Sequence, residues 1–244
     1  MKQYTLAAPV TLQGKGLHTG KNVTLTLKPA EENTGFVFVR VDLEGNPIIE
    51  ADATYVTSTE RGTVLEKKGV KIQTCEHILA ALVGMNLDNV SIELDAPEPP
   101  IMDGSAKYFV EAIEKVGIVA QEAERNEYIV REVISYKNEE TGSEITIIPA
   151  DEYQVTTMVD FGTKILGTQN AYMNTLSEFK EDIAPARTFS FLHELEVLLD
   201  RGLIKGGDLN NAIIYVDKEP SAETMEKLKK VFNKENISVK PNGV

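Results

Sequence analysis

The residues in this sequence best equipped for chemistry are Glu76 and His77, in the run Thr74-Cys75-Glu76-His77-Ile78-Leu79-Ala80-Ala81-Leu82-Val83-Gly84-Met85. Ile78, Ala81, Leu82 and Met85 recur at the i, i+3, i+4, i+7 spacing of an amphipathic helix, and Thr74 stands where a cap belongs. At about 100° per residue, Glu76 and His77 point away from the apolar stripe. They share a face with Ala80 and Gly84, whose small side chains leave a hollow. One use of such a pair is a neutral imidazole holding Zn²⁺ while the carboxylate takes a proton from the metal's water. The start of a helix also favours the ionised carboxylate. Alone, the dipeptide is more often a solvated first turn, so the rest of the chain must decide.

The elements that would position this pair are legible from patterning. Val23, Leu25 and Leu27 alternate with polar residues across 22–28, and Val90, Ile92 and Leu94 do so across 89–94, as half-buried strands do. Shorter strands are predicted at 35–41, 51–55 and 62–65, and 69–72 leads into the helix that carries Glu76 and His77. Pro97, Pro99 and Pro100 then interrupt regular structure. Ser105 is placed to cap a second helix with Phe109, Ala112, Ile113 and Val116 on one face and Gly117 as its stop. The acidic stretch 119–126 lacks periodicity and reads as a connector, dividing the chain into domains 1–122 and 123–244. In the second half, strands are predicted at 127–136, 144–149, 153–161 and 212–216. Helices are predicted at 176–181, 192–199 and 221–233, the last with Met225, Leu228 and Phe232 inward. Strands first and helices later in each half indicate an α+β fold, helices lying on one face of each sheet.

Composition narrows the function classes. The chain has 244 residues, 42% hydrophobic and 26% charged, as soluble globular proteins do. No apolar run is long enough to span a bilayer, and residues 1–5 lack a signal-peptide core. Cys75 is the single cysteine, which rules out an intrachain disulfide and fits a reducing compartment, the cytoplasm. A net charge of −13 argues against nucleic acid as a partner. It leaves room for an anionic small molecule held by a local cluster.

Four stretches together are more specific than any one of them. They are Gly16-Leu17-His18-Thr19-Gly20-Lys21, then Cys75-Glu76-His77-Ile78-Leu79-Ala80-Ala81-Leu82, then Pro100-Ile101-Met102-Asp103-Gly104-Ser105-Ala106, and Ile183-Ala184-Pro185-Ala186-Arg187-Thr188-Phe189. With Gly202-Leu203-Ile204-Lys205-Gly206-Gly207 and Asn211-Ala212-Ile213, their order and spacing resemble the UDP-3-O-acyl-N-acetylglucosamine deacetylases. These are zinc amidases that commit a bacterial sugar nucleotide to lipid A. The resemblance runs from Thr5 to Val244. It implies a two-domain sandwich, each domain a β-sheet with helices on one face, the helical layers facing each other across the active site. It makes His77 a Zn²⁺ ligand, Glu76 the general base and Thr188 the hydroxyl donor to the oxyanion. Phe189 and Phe191 would contact sugar or acyl chain. Leu192, Leu195, Ile204 and Ala212 would line an apolar tunnel, although Leu192 and Leu195 also suit plain core packing. Gly207, with Gly206, would let backbone approach the substrate, or simply make a turn. His18 reads as structural or close to the metal without ligating it, and His193 as a surface residue.

In detail the sequence is most like the versions from Bacteroidota, where the deacetylase is often fused on its C-terminal side to a hydroxyacyl-carrier-protein dehydratase. The partners implied are UDP-acyl-GlcNAc, the membrane by peripheral proximity only, and that dehydratase. One departure matters. The family draws its other two zinc ligands from a later His-Lys-x-x-Asp pattern and its general acid from a further histidine, whereas the histidines here are His18, His77 and His193. The expectation is a chain that lacks the C-terminal ligands, is inactive alone and leaves apolar surface exposed in its second half. The alternatives are a non-catalytic substrate- or partner-binding fragment, or the front part of a deacetylase/dehydratase fusion.

Overall fold

The structure is a computed structural model that describes residues 1–200, 205–218, 220–240 and 243. It is a mixed α+β protein built from several small sheets and few helices. The first half contains β1 (Lys2–Leu6), β2 (Val10–Lys15), β3 (Asn22–Pro29), β4 (Phe36–Arg40), β5 (Ile48–Glu50), β6 (Val56–Ser58), β7 (Val64–Lys67), β8 (Val70–Ile72), α1 (Glu76–Gly84), β9 (Val90–Leu94), α2 (Lys107–Val116) and β10 (Ile118–Glu124). The main sheet has the order β2-β3-β9-β4-β5, antiparallel except for the parallel pair β4–β9. The alternation read in the sequence is the reason it is half-buried. Leu25 and Leu27 of β3 and Ile92 and Leu94 of β9 all turn inward and are fully buried. They share one core with Phe38 of β4, Ile78 and Leu82 of α1, and Phe109 and Ile113 of α2.

Several elements differ from the patterning. Residues 51–55 are not a strand: β5 ends at Glu50, and a single 3-10 turn follows at Ala53–Tyr55, capped by the Asp52 side chain on the Thr54 N–H. The stretch read as a connector holds β10, which pairs antiparallel with β1 in the register Tyr4↔Ala120, Thr5↔Val119, Leu6↔Ile118. The cap expected at α1 is absent: the residue before it is Cys75, which makes no side-chain cap. The cap expected at α2 is present, since Ser105 Oγ accepts from the Lys107 N–H at 3.2 Å. Gly117 does stop α2, at φ 82°.

The second half contains β11 (Ile134–Lys137), β12 (Glu144–Ile147), β13 (Val155–Asp160), β14 (Thr168–Met173), β15 (Phe189–Phe191), α3 (Leu192–Asp200), β16 (Ile213–Tyr215) and α4 (Ala222–Phe232). In place of the helix predicted at 176–181 there is a 3-10 turn, Leu176–Glu178, running into a wide π-type turn, Phe179–Ile183. Strands β15 and β16 pair in parallel, and α3 and α4 pack through Leu192, Leu195, Leu228 and Phe232. Hairpins β11–β12 and β13–β14 stand apart as two-stranded units. The register Ile134↔Ile147 and Tyr136↔Ile145 puts four apolar side chains on one face of the first hairpin. That face is uncovered, with Tyr136 and Ile145 each 66% exposed.

Candidate functional site

The start of α1 is held from outside the helix. Thr74 sits at φ 53°, a left-handed conformation that a β-branched residue adopts only under constraint. Two contacts supply that constraint: the Gln73 N–H donates to Pro97 O at 2.8 Å, and Thr74 Oγ1 donates to Glu98 Oε1 at 2.9 Å. The hydroxyl expected to cap the helix is thus recruited by Glu98.

Glu98 is the residue that sequence reasoning missed. It is fully buried. Besides Thr74, its carboxylate accepts from the N–H of His18 at 3.0 Å, the N–H of Thr19 at 3.0 Å and Thr19 Oγ1 at 2.9 Å. One carboxylate therefore ties the turn at 16–21 to the approach to Glu76 and His77. The Gly-rich sequence of that turn is a matter of space: a Cβ on Gly16 would lie 2.5 Å from Glu98 Oε2. On the far side, the Gly206 N–H donates to Leu17 O at 2.9 Å, and a Cβ on Gly206 would lie 2.1 Å from Gly16 O. The only local hint of Glu98's role was a carboxylate wedged between Pro97 and Pro99.

A second junction forms at Gly104. Met102 (φ 55°) and Gly104 (φ 85°) make a sharp turn, which Asp103 Oδ1 stabilises by accepting from the N–H and Oγ of Ser105 at 3.1 and 2.6 Å. The Thr188 N–H donates to Gly104 O at 2.7 Å, and Arg187 Nε donates to Asp103 O at 2.7 Å. A Cβ on Gly104 would lie 2.1 Å from Asn211 O, so only glycine fits. Asp103 also acts electrostatically on His77. The stretches around His18, Glu76-His77, Asp103 and Thr188 therefore come together, along with Gly206 and Asn211.

Glu76 and His77 are both partly buried. Glu76 Oε2 accepts from the Thr63 N–H at 3.0 Å. Burial pushes the His77 imidazole below its ordinary range, against the pull of the Glu76 and Asp103 carboxylates. The ring is thus held neutral, the form that ligates a metal. The hollow predicted beside the pair is filled at its far end: a Cβ on Gly84 would lie 2.0 Å from the Phe179 ring.

Next to these junctions lies a cavity of about 90 Å³. Its lining includes His18, Arg61, Thr188, Phe189, Gly207 and Ala212, with Leu195 and Phe232 from the two helices of the second half. Neither Glu76 nor His77 is part of the lining. Arg61 Nη1 pairs with Glu194 Oε2 of α3 at 3.0 Å, and His18 Nε2 lies 3.2 Å from Arg61 O. Among the residues expected to contact substrate, Phe191 and Leu192 are buried outside the lining. Phe191 stacks on His193, with ring centres 5.6 Å apart, and Leu192 packs on α4. His193 is exposed and its Nδ1 meets Asp217 at 3.1 Å. Ile204 lies outside the described residues, as do Gly202 and Leu203.

Residues 3–235 match the family model described as LpxC: UDP-3-O-acyl N-acetylglycosamine deacetylase. The chain belongs to this deacetylase family. It is 45% identical over 232 residues to a bifunctional enzyme LpxC/FabZ of Bacteroides thetaiotaomicron, covering 95% of this chain and 50% of that protein. It is 45% identical over 242 residues to the protein of the same name from Porphyromonas gingivalis, covering 99% and 52%. Against the UDP-3-O-acyl-N-acetylglucosamine deacetylase of Thermosynechococcus vestitus it is 44% identical over 213 residues, covering 87% and 73%. The chain thus spans about half the length of the two bifunctional relatives.

The deacetylase family is zinc-dependent. Among the described residues no three His, Cys, Asp or Glu side chains gather around one point. The described residues therefore do not by themselves fit a catalytic zinc, which takes three protein ligands. Among them, too, no helix is long and apolar enough to cross a membrane.

Proposed function

We propose that this chain carries the general base and the acyl-binding part of a zinc-dependent deacetylase. The enzyme hydrolyses the N-acetyl group of UDP-3-O-(3-hydroxyacyl)-N-acetylglucosamine, the committed step of lipid A biosynthesis. The observation that carries this reading is the meeting of separate family stretches at Glu98 and Gly104, around the start of α1. In this reading Glu76 accepts a proton from the attacking water. A carboxylate in hydrogen-bond reach of its water suits that task. The tetrahedral oxyanion takes a hydrogen bond from the Thr188 hydroxyl, whose backbone is fixed by Gly104. The C–N bond then breaks as the leaving nitrogen takes the proton that Glu76 accepted, giving acetate and the free amine. His77 is one zinc ligand, and the described residues do not supply the rest.

The fatty chain enters the cavity beside Phe189, Leu195, Gly207 and Ala212, with Phe191 and Leu192 contributing behind them. Each buried methylene there contributes about 0.8 kcal/mol, which separates acylated from bare sugar nucleotide. We place the reaction in the cytoplasm, at a sandwich of two α+β domains, 1–122 and 123–244, whose helical layers face each other. A hydroxyacyl-carrier-protein dehydratase is the fused partner proposed from the bifunctional relatives.

The test is acetate release from the acylated sugar nucleotide. The protein assayed is this chain joined to the portion of the Bacteroides thetaiotaomicron relative that it does not cover. Release with the acylated substrate and none with UDP-GlcNAc supports the proposal. No release from either refutes it. The incomplete ligand set among described residues favours a second reading, a fragment that binds substrate without catalysis. Metal analysis of the purified chain separates the two, since tight stoichiometric zinc contradicts the binding-only reading.

A further inference from the structure

We propose that Phe232, the last residue of α4, is the wall that limits how long an apolar chain the cavity accepts. This rests on the reading of that cavity as an acyl site. Met225, Leu228 and Phe232 lie on the inward face of α4. Of the residues of α4, Phe232 alone reaches the lining. The ring is 7% exposed and wedged against Leu192, Leu195 and Leu228.

The helix is fastened at both ends, so the ring is not free to swing away. At the start, Ser221 Oγ accepts from the Thr224 N–H at 3.0 Å. At the end, Asn233 turns left-handed at φ 50°, and its N–H donates to Lys229 O and Lys230 O. Glu223 in the first turn and Lys229 and Lys230 in the last complement the helix dipole.

The size of the cavity makes one ring decisive. The cavity is small, about 90 Å³, so one ring in its wall changes a large share of the room for the end of a chain. The first half lines the cavity with Leu17, His18 and Arg61, the last its one cationic group among the described residues, and Thr188, Ser190 and Asp208 add polar groups from the second half. Apart from Leu17, the apolar side chains, Leu195, Leu198, Ile214 and Phe232 among them, come from the second half. A chain whose head meets Arg61 and His18 therefore runs its tail toward α3, β16 and α4. Removing the phenyl ring adds apolar room at that tail, and a larger ring removes it.

The experiment is calorimetric titration of this chain with decanoate, dodecanoate, tetradecanoate and hexadecanoate, below their micelle concentrations. Affinity of the wild type should rise roughly fourfold per added methylene and then level off once the tail meets Phe232. In Phe232→Ala and Phe232→Leu the levelling should move to longer acids, and in Phe232→Trp to shorter ones. Thermal melts identify any variant that fails to fold, and Leu and Trp keep the test open if Ala does. Levelling at one length in the wild type and every folded variant overturns the role of Phe232 while leaving the acyl site standing. Failure of all four acids to bind the wild type overturns the acyl reading, and this inference with it.

Discussion

Glu98→Ala is the substitution whose cost the structure defines best. The carboxylate is fully buried and accepts from four donors: the N–H groups of His18 and Thr19, and the hydroxyls of Thr19 and Thr74. A hydrogen bond to a charged group contributes about 1.5–3 kcal/mol net. The four do not add in full. Thr19 and His18 are half-buried and regain water when the carboxylate goes, whereas Thr74 is buried. The loss expected is about 3–5 kcal/mol, close to one buried donor left bare plus two or three weakened bonds. In a protein of this size each kcal/mol moves Tm by about 2–4 °C, so the melt should fall by roughly 6–20 °C. Glu98→Gln keeps the shape and one acceptor oxygen and should cost less than Glu98→Ala, roughly 1–3 kcal/mol. Urea denaturation of the three proteins, read by circular dichroism, gives the numbers. A loss below about 1 kcal/mol for Glu98→Ala, at the level of an ordinary surface change, would refute the idea that this carboxylate holds the turn to α1.

Gly104→Ala should destabilise the chain by several kcal/mol and deplete soluble protein. Its Cβ would lie 2.1 Å from Asn211 O at a φ of 85°, and equilibrium unfolding measures the loss. The Arg61 guanidinium holds the Glu194 carboxyl below its ordinary 4.5, so the native state binds fewer protons than the unfolded one just below that pH. The pair's stabilisation is therefore complete above pH 4.5 and lost as the pH falls through the lowered value. Because both side chains are partly exposed, the effect is at most about 1 kcal/mol. Arg61→Ala should lower stability by up to that amount at pH 7, and urea titrations at successively lower pH should show the gap to the wild type closing below 4.5. Burial pushes the Cys75 thiol up to about 12, so thiolate is scarce near neutrality. Iodoacetamide at pH 8 should label Cys75 rapidly in urea and slowly in the native protein, as mass spectrometry will show; equal rates would contradict the buried site.

Much of the first half could be read from the sequence because its elements bury one face. Leu25, Leu27, Ile92 and Leu94 alternate, and Ile78, Ala81 and Leu82 follow the helical period, since each must reach the same core. Strand β10 escaped because it lies in a ribbon with only some side chains half-buried. Its pairing with β1 is set by residues more than a hundred positions away, which leave no local trace. Strand β14, Thr168–Met173, is mostly polar and is held by its register with β13. Glu76, His77 and Thr188 stood out in the sequence only as residue types in order. Glu98 was not, because its partners are two backbone N–H groups and two hydroxyls brought in from the 16–21 turn and from Thr74. The cap expected of Thr74 failed for the same reason: its hydroxyl bonds a carboxylate 24 residues onward.

The most direct test of the account is the rate of acetate release by the extended protein carrying Glu76→Gln. The substituted amide keeps the size of the side chain and can still accept from the Thr63 N–H, but it cannot take a proton from water. A general base at Glu76 implies a fall of roughly 10²–10⁴-fold in kcat, with binding of the acylated sugar nucleotide and of zinc unchanged. A kcat within about threefold of the parent, far short of a general base's usual contribution, would contradict the assignment of Glu76 and the function built on it.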